Sequence, residues 1–313
     1  MSIAVRNLVK KYGDNAAIND ISFDVRTGEI LGFLGPNGAG KTTTMKIITC
    51  YMPPTSGSVE VDGMNIFDHS LEVRRKIGYL PEMNPLYLDM SVLEYLEYSA
   101  RLHGVRDPQA QQRIKEMAHV CGLESVLHKV IGELSKGFRQ RVGLAQAMVH
   151  DPDVLILDEP TSGLDPNQIV EIRNLIKQLG RAKTVVLSTH ILSEVQATCD
   201  RVLIINEGAI VADGSPEQLT RDFQGADTLT VEFRTPADPA DAVAPKLRQL
   251  PGVGTVTLLE HADGGCTFEV HVDRGTDVRE TLFRTAVNEG WVILELHRRV
   301  TTLEEVFHKL TTA

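Results

Sequence analysis

The fold is decided by the stretch Ile30-Leu31-Gly32-Phe33-Leu34-Gly35-Pro36-Asn37-Gly38-Ala39-Gly40-Lys41-Thr42-Thr43. Ile30 to Leu34 reads as a buried strand, Gly35-Pro36-Asn37-Gly38-Ala39-Gly40 as a glycine-rich turn, and Lys41-Thr42-Thr43 as the opening of a helix. The order matches G-x-x-x-x-G-K-[ST], the phosphate-binding P-loop. A triphosphate needs many aligned donors and close backbone approach. Gly35, Gly38 and Gly40 therefore leave out the side chains that would hold peptide N–H groups away from its oxygens. Lys41 adds a point charge, and the helix start contributes about half a positive charge more through its unpaired N–H groups. Thr42 is placed to give its hydroxyl to Mg2+.

Downstream, Val154-Leu155-Ile156-Leu157 is an apolar run closed by Asp158-Glu159. A run bounded this way suits a parallel strand buried on both faces. Its carboxylates then stand at the carboxyl end of the sheet, where open α/β sheets bind ligands. With a P-loop upstream, Asp158 is placed to hold the Mg2+ that Thr42 also holds. Thr184-Val185-Val186-Leu187-Ser188-Thr189-His190 repeats the pattern, and its histidine ends a strand beside the expected phosphate site.

Toward the N-terminus, Ile3 and Val5, and later Ile21, Phe23 and Val25, alternate as strand residues do. Between them lies the turn Lys11-Tyr12-Gly13-Asp14, with Tyr12 a candidate to stack on an adenine ring. After the P-loop helix, Pro53-Pro54-Thr55-Ser56-Gly57 breaks the chain, Ser58 to Gly63 reads as a strand and turn, and Lys76 to Leu80 as a strand before Pro81-Glu82. From Ser91 to about His150 the period becomes helical, with Val92, Leu93, Tyr95 and Leu96 and then Ile114, Met117 and Val120. Ser91-Val92-Leu93-Glu94 fits a capping box where that part begins. Arg201 to Ile205 and Asn206-Glu207-Gly208 give a strand and a hairpin turn.

At 313 residues the chain is long enough for two domains, and its 42% hydrophobic and 24% charged residues are ordinary for a globular protein. No run approaches the roughly 18 apolar residues of a membrane helix. Met1 to Arg6 holds no apolar core of signal-peptide length, so a cytoplasmic protein is expected, touching a membrane only through a partner. The formal net charge of −10, with no lysine/arginine block, argues against a nucleic-acid partner. Cys50, Cys121, Cys199 and Cys266 are scattered and read as reduced structural residues.

From about residue 3 to 220, in order and without gaps, these motifs resemble the nucleotide-binding subunit of an ATP-binding-cassette (ABC) transporter. The distinguishing run is Leu134-Ser135-Lys136-Gly137-Phe138-Arg139-Gln140-Arg141 ahead of Asp158-Glu159, followed by Ser162-Gly163-Leu164-Asp165 and His190. The family's signature is usually Leu-Ser-Gly-Gly-Gln. Lys136 and Phe138 replace a glycine and the glutamine here, and Glu82 stands where the family usually has glutamine. A chain with both changes looks like the exporter-type subgroup, whose members pair with separate polytopic membrane subunits.

The resemblance implies an α/β fold, a P-loop NTPase cassette over 1–222 with a RecA-like core and a helical subdomain at about 86–150. It implies ATP and Mg2+ as cofactors, a homodimer or pseudo-dimer arranged head to tail, a separate polytopic permease, and a place on the cytoplasmic face of the cell membrane. Roles follow by position. Lys41 would bond the β- and γ-phosphates, Thr42 and Asp158 would bind Mg2+, and Glu159 would polarise the attacking water. His190 would hold Glu159 and the γ-phosphate in line. Tyr12, Gly35 to Thr43 and Glu82 would surround the nucleotide in one subunit, Ser135 and Gly137 would reach it from the other, and Asp165 would link the two sites across the interface. The competing reading is a soluble ABC ATPase with no membrane partner. The ribosome-binding type carries two cassettes in one chain, whereas a single P-loop is present here. The repair type needs a long coiled coil that Gly40 to Leu134 is too short to hold.

Past Gly214-Ser215-Pro216 the pattern changes. Strand Thr228 to Phe233, helix after the prolines of Pro236 to Leu250, strands Gly254 to Leu259 and Cys266 to Val272, helix Asp277 to Glu289 and strand Trp291 to Leu296 spell β-α-β-β-α-β. That is the ferredoxin-like order, so 223–313 is read as a C-terminal ferredoxin-like α+β accessory domain. The turn Ala262-Asp263-Gly264-Gly265 joins its middle strands, and a last helix runs from Thr302 to Leu310. A dimer prop or packing platform is its favoured role over a small-molecule sensor, with Trp291 in its core and Arg298-Arg299 at a solvated edge.

Overall fold

The structure is a computed structural model that describes residues 2–223, 227–234, 240–262, 265–273, 276–299 and 302–311. The chain divides into two compact units, Met1–Leu219 with Phe307–Ala313, and Thr220–Val306.

The first unit begins with an antiparallel sheet, β1 (Ile3–Tyr12) and β2 (Asn15–Val25). Strand β3 (Ile30–Leu34) then leads through the glycine turn into α1 (Lys41–Ile48). Next come β4 (Ser56–Val61), β5 (Met64–Asn65), α2 (Ser70–Lys76) and β6 (Ile77–Leu80). A helical part follows, α3 (Val92–Leu102), α4 (Gln109–Val120) and α5 (Lys136–Met148). The chain returns through β7 (Val154–Asp158), α6 (Pro166–Gly180), β8 (Thr184–Thr189), α7 (Leu192–Thr198), β9 (Arg201–Asn206), β10 (Ala209–Gly214) and α8 (Pro216–Asp222). Strands order as β2-β1-β4-β5 in one sheet and β10-β9-β3-β8-β7-β6 in the other. In the second sheet β6, β7, β8, β3 and β9 are parallel, and β10 runs antiparallel at its edge.

Strands β3, β7 and β8 are buried at every residue. Their pleat therefore feeds two cores. Val154, Ile156, Val186, Leu31 and Phe33 face one that also holds Met45 and Ile47 of α1 and Ile3, Val5 and Ile21 of the antiparallel sheet. Leu155, Leu157, Val185 and Leu187 face the other, shared with Leu96, Ile114, Met117 and Leu144 of the helical part. Successive side chains of a strand point to opposite faces, so Asp158 falls with Val154 and Ile156 on the α1 side. The capping box opening α3 is present, with Ser91 Oγ accepting from the Glu94 N–H and Glu94 accepting from the Ser91 N–H.

The second unit consists of β11 (Asp227–Arg234), α9 (Ala240–Arg248), β12 (Val253–Ala262), β13 (Gly265–Val272), α10 (Arg279–Glu289) and β14 (Val292–Arg299), with α11 (Leu303–Thr311) after them. Its sheet order, β12-β13-β11-β14, is the ferredoxin-like arrangement with the first and third strands in the middle. Phe233, Phe268 and Trp291 pack in its core, with ring centroids 5.3 Å apart for Phe233 and Trp291. Helix α10 starts at Arg279 rather than the expected Asp277, because the Asp277 carboxylate accepts the Arg279 N–H and holds a local turn there. Of the expected turn, residues 263–264 lie outside the described residues, as do 235–239 ahead of α9 and the Arg299 side chain. The end of the last helix, from Phe307, groups with the first unit rather than the second.

Candidate active site

The glycine turn between β3 and α1 is shaped by backbone contact. Gly40 has φ +107°, and a Cβ there would stand 2.5 Å from the Ala17 carbonyl oxygen, so no other residue fits without moving β2. Lys41 is buried, its ammonium donating to the Gly35 oxygen at 2.7 Å and the Pro36 oxygen at 3.2 Å. It lies 3.5 Å from Glu159, whose carboxylate is also buried. Gly35 to Gly40, Lys41, Thr42 and Glu159 are thus one cluster, as expected.

Asp158 ends β7 with no exposed surface. Its Oδ1 accepts from Thr42 Oγ1 at 3.2 Å and from Ser188 Oγ, while its Oδ2 is buried with no hydrogen-bond partner among the described residues. Ser188 enters because β7 and β8 pair in register, Asp158 opposite Ser188. The same serine accepts the Glu159 N–H at 3.0 Å. Glu159 has a left-handed backbone, φ +49°, a conformation that costs a non-glycine residue about 1–3 kcal/mol and gathers at functional sites. That turn swings its carboxylate away from β7 and onto His190 Nδ1, 2.9 Å from its Oε2. Ser188 was not among the residues the motifs single out. Its signal was the pairing of two strands, not any local spacing.

Ser135, Lys136, Gly137 and Asp165 form a second group. Ser135 caps α5, accepting the Phe138 N–H at 3.4 Å. Gly137 lies against the side chain of Gln168 on α6. Asp165 caps α6, accepting the Gln168 N–H at 2.9 Å. The Lys136 ammonium lies where a Cβ on Gly163 would be, so the lysine that departs from the family's glycine crosses onto the turn after Glu159. Gln140, also missed by motif reading, ties α5 to the strand end, donating to the Pro160 oxygen at 2.8 Å.

Tyr12 is 51% exposed at the end of β1, its ring 5.3 Å from the Lys10 ammonium. Glu82 lines a cleft of about 840 Å3 that begins at Thr42 and Asp158 and runs past Tyr79, Met83 and Tyr95 to His103 and His150. Those two imidazoles stack with centroids 3.7 Å apart. Burial, together with the charges of His103, Lys183 and Arg113, pushes His150 down to about 4.

Comparison with known proteins follows the same lines. A family model described as ABC transporter matches residues 18–162, and an AAA-domain model described as a putative AbiEii toxin of a type IV TA system matches 130–195. The ABC transporter ATP-binding protein YxlF of Bacillus subtilis, itself described as uncharacterized, is 33% identical over 315 residues, 99% of this chain and 100% of its own. The chain belongs to the ABC transporter family. Nod factor export ATP-binding protein I of Burkholderia lata is 33% identical over 311 residues, 99% of this chain and 96% of that one. Among solved structures, the dimeric post-hydrolysis state of the ATP-binding cassette MJ0796, bound to ADP and Pi, superposes with a TM-score of 0.63. It is 27% identical and covers 68% of this chain and 98% of that cassette. The fold is the ABC cassette with its P-loop NTPase core, and the chain is an ATP-hydrolysing subunit of a transporter.

Proposed function

We propose that this subunit powers an exporter as one half of a head-to-tail dimer on the cytoplasmic face of the membrane, with the roles below. The observation that carries the site assignment is the orphaned Oδ2 of Asp158, buried beside the Thr42 hydroxyl. A buried carboxylate oxygen without a partner is costly unless a ligand satisfies it. One carboxylate and one hydroxyl, completed by nucleotide phosphates, is a donor set that fits Mg2+. When bound, Mg2+ neutralises charge on the β- and γ-phosphates.

Lys41 exchanges its P-loop carbonyls and Glu159 for the β- and γ-phosphates. Glu159, freed of the lysine, accepts a hydrogen bond from the attacking water. His190 keeps that carboxylate in place through Nδ1 and turns Nε2 toward the γ-phosphate. Ser135 and the N–H groups of Lys136 and Gly137, at the start of α5, approach the partner's γ-phosphate. Tyr12 stacks on the adenine. Positioning and charge, rather than covalent chemistry, carry phosphoryl transfer to water.

Among the described residues no helix is long and apolar enough to cross a membrane. Yet the helical part and the cleft beside it expose Met83, Tyr87, Leu88 and Leu102, apolar surface that a separate permease would cover. Export as the direction follows the exporter-type signature and the Nod factor export relative. The test is a mild-detergent pull-down from native membranes through a tag on this chain. Recovery of a polytopic membrane protein is expected; recovery from the cytosol alone would shift the reading to a soluble ATPase.

A further inference from the structure

Glu194 is a buried carboxylate that the roles above leave unused. It lies in the first turn of α7, 3% exposed, and its Oε1 has no hydrogen-bond partner among the described residues. Its Oε2 accepts from Thr189 Oγ1 at 2.8 Å, and Thr189 is wholly buried at the end of β8. The same Thr189 oxygen accepts the Ile191 N–H at 3.0 Å. The Glu194 N–H closes the turn on the Ile191 carbonyl at 3.2 Å. The two bonds to Thr189 bracket one residue, His190, and the third closes the turn that follows it.

The bracket is needed because the turn lacks an ordinary cap. Ile191 occupies the N-cap of α7 and has no side-chain oxygen to offer. The His190 side chain is 48% exposed, and its hydrogen bond to Glu159 is the contact that aims the ring. A half-exposed imidazole on an uncapped turn would sample several rotamers. The Thr189–Glu194 bond fixes the backbone on both sides of it. A buried carboxylate with one oxygen unmatched is also a poor choice for stability alone, since an apolar residue of similar volume avoids the desolvation.

We infer that Glu194 is a positioning residue for ATP hydrolysis, acting through Thr189 to hold His190 against Glu159. This rests on the reading of His190 and Glu159 given above. Glu194 touches neither nucleotide nor water, and its effect passes through His190.

The test is a double-mutant cycle read by steady-state ATPase kinetics and ATP affinity on the full chain. Misplacing a catalytic group by about 1 Å costs up to roughly 100-fold, so Glu194→Leu is expected to lower kcat by about 30-fold with the Kd for ATP changed less than about twofold. Glu194→Gln keeps an acceptor for Thr189 and is expected to stay within about threefold of wild type, while Thr189→Val, which breaks the relay from the other side, matches Glu194→Leu. In a His190→Ala background Glu194→Leu is expected to cost less than about twofold, because its path of action is gone. The same loss in both backgrounds, or Glu194→Leu turning over as wild type, overturns the inference. Wild-type turnover by His190→Ala alone would instead overturn the role of His190, so the two failures are distinguishable.

Discussion

Replacing Ser188 by alanine tests how the Asp158 carboxylate is held. Asp158 and Ser188 are both fully buried, and Ser188 Oγ is one of two hydroxyls that reach Asp158 Oδ1. A hydrogen bond to a charged group contributes about 1.5–3 kcal/mol. The Glu159 N–H loses little, because it also reaches the backbone oxygen of residue 188 at 3.2 Å, which alanine keeps. The whole cost therefore falls on the carboxylate. For a unit of this size about 1 kcal/mol shifts the melting temperature by roughly 2–4 °C, so the variant should melt about 3–12 °C lower in EDTA. Saturating Mg2+ and ATP should shrink that gap, since a cation on Oδ2 and Thr42 compensates the charge the serine no longer supports. Thermal unfolding in EDTA and in Mg2+·ATP, with ATPase activity titrated against free Mg2+, measures both effects. A variant within about 0.5 kcal/mol of wild type in EDTA would refute the reasoning about burial. An equal gap with and without Mg2+·ATP would refute the assignment of Asp158 to the metal.

Other expectations follow from particular contacts. Gly163 has φ +69° and the Lys136 ammonium over it, so Gly163→Ala should cost about 1 kcal/mol from backbone strain alone and slow turnover, with Lys136→Gly restoring part of the loss; urea unfolding and steady-state kinetics check this. Phe268→Ala, in the core of the second unit, should cost about 3–5 kcal/mol by urea unfolding while ATP affinity stays unchanged. His150, held near 4 when folded and free to bind a proton near 6.5 when unfolded, makes the unfolded state the stronger proton binder between those values. Stability should therefore fall as pH drops from about 6.5 toward 4, and urea midpoints for His150→Gln should fall less steeply over that range.

Much of this was legible along the chain because the chemistry is local. Lys41 and Thr42 are fixed by the turn they follow, and Asp158 and Glu159 by the apolar strand before them. The alternation of Ile3, Val5, Ile21 and Phe23 marked two strands, whose antiparallel pairing only the structure shows, and the order of strands and helices after Gly214 spelled the ferredoxin-like domain. What stayed hidden depends on pairing between distant segments. Ser188 matters because β8 lies beside β7, and Gln140 because α5 crosses the end of that strand. The left-handed turn at Glu159, which aims its carboxylate at His190, has no sequence signal in a residue type that rarely adopts it. The crossing of Lys136 onto Gly163 was visible only as a departure from the family signature, without its partner.

The most direct test of the account is the behaviour of Glu159→Gln with Mg2+·ATP, followed by sedimentation velocity and quantitation of bound nucleotide. A dimer that retains ATP and hydrolyses it at least roughly tenfold slower than wild type, about 1.4 kcal/mol of transition-state stabilisation lost, is the predicted result. A monomer that turns over ATP at the wild-type rate would contradict both the role of Glu159 and the need for two subunits.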